Sequence, residues 1–223
     1  MKSALKPVLK SILAEFSVRL CARLPLTCLI RLTRRFNDIQ LSPRELSLII
    51  DAVKGKAPCN FLVFGVGNDS RLWARINRGG KTVFIEDNRA WYRKVIAPDQ
   101  NLKAYLVNYN TSINEWQTLL DSPPLLEMIW PDEVREERWD VILVDAPAGW
   151  NDESPGRMKS IFHAPRLAAN SCDLFIHDCD RPIEKTYCER FLKREQMRAE
   201  IELLRHYRID NHHDRTPHQR ACE

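Results

Sequence analysis

Phe61-Leu62-Val63-Phe64-Gly65-Val66-Gly67-Asn68-Asp69-Ser70 is the stretch on which the fold is decided. Four successive apolar residues run into a Gly-x-Gly bend and then into the polar start of a helix. A strand apolar at every position is buried on both faces, as in a parallel sheet covered by helices. Glycines at alternate positions let the backbone turn tightly and come close to a ligand lying over the next helix's N-terminus. Working outward, the same unit recurs. Further apolar runs fall at Thr82–Ile85, Ala104–Val107, Val141–Val144 and Leu174–Ile176. Helical patterns fall at Ser70–Asn77, Asn88–Ile96, Ile113–Leu120, Arg157–Ala169 and Ile183–Arg194. Ser42-Pro43-Arg44-Glu45 opens a further helix, with a capping Ser, Pro at the first position and Glu at the third. Met197–Ile209 alternates like a strand. Strand and helix in repeated alternation predict an α/β fold, a mostly parallel twisted sheet with helices on both faces.

Composition agrees. The chain has 223 residues, 44% hydrophobic and 29% charged, which excludes intrinsic disorder and multi-span membrane proteins. Its net charge of +4 is unevenly placed: residues 1–36 hold eight Lys/Arg against Glu15, so the body is net acidic and carries no nucleic-acid footprint. Residues 1–41 read as a basic amphipathic helical segment, 42–210 as the main domain and 211–223 as a polar tail. The longest uncharged stretch of the N-terminal segment, Leu24–Ile30, is far short of the ~20 apolar residues a spanning helix needs. Arg19, Arg23 and Arg31 break any signal-peptide core. A helix capping the core is the favoured reading of residues 1–36, ahead of a weak peripheral membrane contact. Seven cysteines without a CxxC pair argue against structural zinc and for a reducing, cytoplasmic setting. His212, His213 and His218 read as a frayed tail rather than a metal site.

In an open parallel sheet, ligands bind beyond the carboxyl ends of the strands. The first strand ends in Gly65, Gly67, Asp69 and Ser70, and the second in Glu86-Asp87, where an acid can accept hydrogen bonds from the hydroxyls of an adenosine ribose. Two cofactors compete, a nicotinamide dinucleotide and S-adenosylmethionine. Ser70 stands where the dinucleotide fingerprint wants a third glycine, which favours S-adenosylmethionine. The fourth strand ends in Asp145, and the fifth in His177, Asp178 and Asp180. Carboxylates beside a His make either a general base with its orienting partner or a hard-metal site.

The blocks at 59–73, 79–91, 139–150 (WDVILVDAPAGW), 155–164 (PGRMKSIFHA) and 175–192 (FIHDCDRPIEKTYCERFL) resemble the polysaccharide-biosynthesis methyltransferase family. That family includes the plant glucuronoxylan 4-O-methyltransferases and the irregular-xylem-type proteins. The resemblance runs from Ser42 to Ile209. It implies a Rossmann-like class I S-adenosylmethionine-dependent methyltransferase that methylates the 4-hydroxyl of glucuronic acid in a glycan. It sets the family's GxGxDS turn on Gly65, Gly67, Asp69 and Ser70, and its acidic strand end on Glu86. Its HDxxR block falls on His177, Asp178 and Arg181. Plant members tend to have His at the position of Asn68 and carry a Golgi anchor, whereas the corresponding stretch here is too charged to span. These departures point to a soluble, cytoplasmic relative. The roles expected are His177 as general base with Asp145 and Asp178 beside it, or a divalent metal on Asp145 and Asp178. Arg157 and Arg181 are the candidates for a uronate carboxylate, and Trp150 and Trp91 for stacking on sugar or adenine. The competing readings are a non-catalytic polysaccharide-assembly protein and a nicotinamide-dependent sugar oxidoreductase.

Overall fold

The computed structural model describes residues 34, 38–97, 99 and 101–210. The basic segment at 1–36, except Arg34, and the tail with its three histidines lie outside the described residues. Helix α1 (Pro43–Lys56) starts from a complete capping box: Glu45 N–H donates to Ser42 Oγ at 3.3 Å and Ser42 N–H donates to Glu45 Oε2 at 2.8 Å. Its apolar positions Leu46, Ile49, Ile50 and Val53 share one stripe and are buried. There follow β1 (Asn60–Phe64), α2 (Ser70–Ile76), β2 (Lys81–Glu86), α3 (Arg89–Val95) and β3 (Lys103–Leu106). A 3₁₀ turn at Ile113–Glu115 leads into α4 (Trp116–Asp121), then α5 (Asp132–Glu136) and β4 (Trp139–Val144). The chain closes with α6 (Met158–Leu167), β5 (Ala168–Ile176), α7 (Pro182–Phe191), β6 (Met197–Ile201) and β7 (Leu204–Asp210).

These strands form one sheet in the order β3-β2-β1-β4-β5-β7-β6, parallel except that β7 runs antiparallel to both its neighbours. From β1 the chain steps outward through β2 and β3, then returns to β4 on the other side of β1. The crevice between the β1 and β4 ends is therefore the topological switch point where such sheets bind ligands. Alternate strand residues feed two cores. Phe61, Val63, Phe84, Val141, Leu143 and Phe175 pack with α1 and α2, whereas Leu62, Phe64, Ile85, Ile142, Val144 and Ile176 pack with α6 and α7. Among the described residues, no helix is long and apolar enough to cross a membrane.

Three elements depart from the sequence reading. Met197–Ile209 is two strands, not one, hinged at Glu202 with φ +54° and without the glycine that usually marks such a hairpin. The expected helix at Ile113–Leu120 begins as 3₁₀. Strand β5 starts six residues before the predicted Leu174, in a polar stretch whose charges are paired. Asp173 binds Lys56 at 2.8 Å, Arg208 at 2.7 Å and His206 at 2.8 Å; burial raises its carboxyl, but the His206 and Lys56 hydrogen bonds and the charges of Lys56 and Arg208 bring it down to about 2.

Asn77, buried after α2, joins the starts of β1 and β2. Its Oδ1 accepts from Cys59 N–H at 3.0 Å, and its Nδ2 donates to Cys59 O (2.9 Å), Lys81 O (3.2 Å) and Thr82 Oγ1 (3.0 Å). Replacing it by Leu strands a buried N–H and carbonyls, at about 1–3 kcal/mol for each group left unpaired. Asn77→Leu is expected to lower the urea-unfolding free energy by about 2–4 kcal/mol. A change below ~0.5 kcal/mol would show the amide to be dispensable.

Candidate active site

The amides of the Gly-x-Gly bend are tied to β2 and to two side chains. Gly65 adopts φ +118°, a region that disfavours any side chain, and a Cβ there would meet Ala146 Cβ at 3.1 Å. Gly65 N–H donates to Ile85 O (2.7 Å), Val66 N–H to Glu86 Oε2 (2.9 Å) and Gly67 N–H to Ser70 Oγ (2.9 Å). Three successive amides are thus engaged, and none is free to cradle a pyrophosphate. Ser70 closes the turn and is buried, so its hydroxyl does not face a ligand as expected. Asp69 occupies the N-cap position of α2 without capping it. Glu86 is buried, with Oε1 accepting from Asp87 N–H (3.1 Å) and Asn88 N–H (2.7 Å). Asn88, not Asp87, caps α3, which leaves the half-buried Asp87 side chain free of that duty. Burial pushes the Glu86 carboxyl up to about 7 and raises that of Asp87; burial and the nearby charge of Asp145 push Asp69 to about 6. Trp91 donates its indole N–H to Val66 O and carries Lys94 on its ring face at 4.0 Å, so that face is not open for stacking.

Across the crevice, β4 and β5 end in a compact ionic cluster. His177 Nδ1 lies 2.9 Å from Asp145 Oδ1 and 3.4 Å from Asp178 Oδ1. Asp178 has φ +60°, a left-handed geometry that Asp tolerates better than most residues, and this turns its carboxylate back over the strand ends. Arg157, only 5% exposed, fills the centre. Its Nη1 donates to His177 O (2.6 Å), its Nη2 to Asp145 O (2.9 Å) and Oδ1 (3.2 Å), and its Nε to Pro147 O (3.4 Å); Nη2 also lies 2.7 Å from Asp178 Oδ2. This corrects the expected role of Arg157: its fork holds the strand ends together instead of presenting itself to a uronate. Arg181 is more open, at 32% exposure, and pairs with Asp178 at 2.9 Å. Asp180 is solvent-exposed and outside the cluster.

His177 is also corrected as a base. Only 3% exposed, it gives Nδ1 to Asp145, while its buried Nε2 lies 3.6 Å from Glu45 Oε1 in α1. Both nitrogens thus face carboxylates of the protein itself. Burial pulls the imidazole down, but the Asp145 bond and the charges of Asp145 and Asp178 outweigh it and leave it raised. Asp145 is the group that reaches the crevice, with 23% of its side chain exposed. Burial raises it, yet His177 and Arg157 bring it below the usual carboxylate range. Its Oδ2 has no hydrogen-bond partner among the described residues. Glu45 was missed by the sequence reading, where it counts only as a helix cap.

The ligand atoms of Asp145, His177 and Asp178 lie within 4.8 Å of one another, a donor set suited to a divalent metal. Arg157 already sits against both carboxylates with its positive charge, so the cation position is filled by the chain itself. The arrangement does not fit a metal between Asp145 and Asp178.

Two loops at this rim are joined to each other. The segment after β3 is stitched to the segment after β4: Ile113 N–H donates to Ser154 O (2.9 Å), Thr111 Oγ1 to Pro155 O (2.9 Å) and Ser112 Oγ to Asp152 O (2.6 Å). Trp150 stands out of the second loop, 74% exposed. Arg181 Nη1 would lie 3.3 Å from a Cβ at Gly149, which sets the guanidinium beneath that loop.

The profile of the IRX15/IRX15L/GXM family matches residues 44–129 and 124–207. The glucuronoxylan 4-O-methyltransferase 2 of Arabidopsis thaliana is 38% identical over 198 residues, 79% of this chain and 66% of that protein. The arabinogalactan O-methyltransferase 2 of the same plant is 34% identical over 210 residues, covering 82% of this chain and 72% of that one. The chain thus spans just under two thirds of the glucuronoxylan relative's length. Among solved structures, one assigned as a caffeoyl-CoA O-methyltransferase from Staphylococcus aureus superposes with a TM-score of 0.52 at 15% identity, covering 81% of this chain and 91% of that one. At that identity the likeness is one of fold alone, and the fold is that of the class I S-adenosylmethionine-dependent methyltransferases.

Removing Arg157 takes away the one cation that touches both Asp145 and Asp178, and leaves Asp178 to Arg181 and Asp145 to His177. Arg157→Met is expected to cost about 3–5 kcal/mol in urea denaturation, the range for breaking a buried ion pair from one side. Arg157→Lys should recover less than half, because one ammonium cannot span the same partners. A Met variant within ~1 kcal/mol of wild type would remove Arg157 from the centre of the cluster.

Proposed function

This chain belongs to the IRX15/IRX15L/GXM family, and from that membership we propose that it is an S-adenosylmethionine-dependent O-methyltransferase acting on the 4-hydroxyl of glucuronic acid in a glycan. The observation that carries the proposal is the acidity of the switch-point crevice. Asp69 follows the β1 end near the charge of Asp145, Glu86 and Asp87 close the β2 end, and burial raises all three. Such a site is relieved by a ligand bearing positive charge. S-adenosylmethionine, when bound, supplies an electrophilic methyl on a cationic sulfur beside an ammonium group. The Gly65–Gly67 bend permits close approach at the β1 end, Glu86 or Asp87 receives the ribose hydroxyls, and Asp69 and Asp145 supply negative charge. The engaged amides of residues 65–67 argue against a nicotinamide dinucleotide, whose pyrophosphate needs them free.

The chain's share of the chemistry is mostly alignment. Asp145, with Oδ2 unclaimed, receives the proton of the acceptor hydroxyl; held low by His177 and Arg157, it is a weak base. Positioning must then supply most of the rate, and well-oriented groups reach effective molarities of about 10⁵–10⁸ M. The acceptor lies over the β4 end, below the Trp150 loop. Arg181, the strand-end cation that keeps solvent access, meets its carboxylate, and Trp150 offers an apolar face to the sugar. Relatives named for two different polymers share transfer to a glycan oxygen, and that shared chemistry is the core of the proposal.

Incubation with methyl-labelled S-adenosylmethionine and uronic-acid glycans is expected to label the glycan. Absence of label on every uronate, with saturable cofactor binding retained, would overturn the acceptor class. Binding itself carries a pH signature. A cation favours the ionised forms of Asp69 and Glu86, so affinity rises as pH climbs through about 6 and 7. Calorimetry should show binding weaker at pH 5.5 than at pH 7.5 by roughly fourfold or more, and a flat profile would contradict the cationic ligand. Arg181→Gln should raise the apparent KM for a uronate acceptor by roughly tenfold, with little change for the carboxyl-reduced sugar. Equal changes on both would dismiss Arg181 as the uronate contact.

A further inference from the structure

We propose that Glu45, in the first turn of α1, is a positioning residue for the cofactor crevice, acting through His177 on Asp145. The inference rests on reading that crevice as the S-adenosylmethionine site. Glu45 is 1% exposed, and each of its oxygens is pinned by a backbone amide. Oε2 accepts from Ser42 N–H at 2.8 Å, and Oε1 accepts from Leu203 N–H at 2.9 Å, in the turn between β6 and β7. The same Oε1 lies 3.6 Å from His177 Nε2. That nitrogen is buried and has no hydrogen-bond partner among the described residues, so Glu45 is the carboxylate that answers it.

On its far side the imidazole meets Asp145 at 2.9 Å and Asp178 at 3.4 Å, with Arg157 bonded to its carbonyl at 2.6 Å. A histidine faced by acids at both nitrogens is stabilised with a proton on each, and in that form it donates to Asp145 and holds that carboxylate ionised and oriented. The acids set against the ring are therefore Glu45, Asp145 and Asp178, and Arg157 is the opposing cation. A helix cap outside the strand ends thereby reaches the crevice through one side chain. Nothing in the capping geometry requires this, because a helix cap is complete without a histidine.

The discriminating ligands are S-adenosylmethionine and S-adenosylhomocysteine, which differ by the one methyl group that gives the first its positive sulfur. Both would be titrated calorimetrically into wild type, Glu45→Gln, His177→Gln and the double variant, with thermal unfolding as a check on folding. Glu45→Gln is expected to weaken S-adenosylmethionine binding by about tenfold and S-adenosylhomocysteine binding by less than about twofold. In the His177→Gln background it should cause no further loss, as residues acting in series do. Equal losses for both ligands, or losses that multiply in the double variant, would reduce Glu45 to a cap and overturn the proposal. Should Glu45→Gln not fold, Glu45→Asp keeps the charge but withdraws it by one methylene, and the same criteria of charge dependence and non-additivity decide. Wild type that binds neither ligand would instead overturn the cofactor reading.

Discussion

A guanidinium wedged between two carboxylates and three backbone oxygens makes the rest of this arrangement possible. Parallel strands deliver their carboxyl ends to one rim, and here two adjacent ends deliver Asp145, His177 and Asp178 to nearly one point. Two buried acids at such range would repel each other and protonate. Arg157, with His177 on Asp145 and Arg181 on Asp178, prevents this: it lies between the two and, by bonding the carbonyls of residues 145, 147 and 177, fixes the backbone that carries them. Asp145 can then stay ionised although largely buried. The crevice acids on the β1 and β2 side have no such partner among the described residues and are raised instead. One rim thus holds a charge-satisfied half and a charge-hungry half, and the second is where a cation is wanted.

Legibility in the sequence followed the same division. The strand ends could be read because each apolar run stops abruptly on polar residues: Phe64 to Gly65, Ile85 to Glu86, Val144 to Asp145, Ile176 to His177. The placement of β1, β2, β4 and β5 and the gathering of their terminal residues followed from that punctuation. The sequence offers Arg157 as a substrate contact because its partners are mainly carbonyl oxygens, which carry no side-chain signature. His177 reads as a base because sequence supplies the neighbours along a strand but not the helix packed over it. Glu45 lay far off in the chain and already had a complete local explanation as a cap. The β6–β7 hairpin escaped because its turn places Glu202, not glycine, in the left-handed region.

The far rim of the sheet is built differently. There Lys56, at the end of α1, donates to Asp140 O and Ser171 O at 2.8 Å and pairs with Asp173. Asn77 gathers the first residues of β1 and β2 nearby. Polar groups at this end are spent on one another, consistent with an end that serves stability. Helix α1 joins the two rims, with Glu45 near the crevice and Lys56 at the opposite edge.

The stitching of the two rim loops has an evolutionary corollary. Since Ile113, Thr111 and Ser112 hold the backbone of residues 152–155, neither loop can change length or path without unfastening the other. Change in this pair of loops must therefore proceed by paired exchange. A chimera that transplants one loop from a relative inherits a mismatched seam, whereas one that carries both across keeps the clasp.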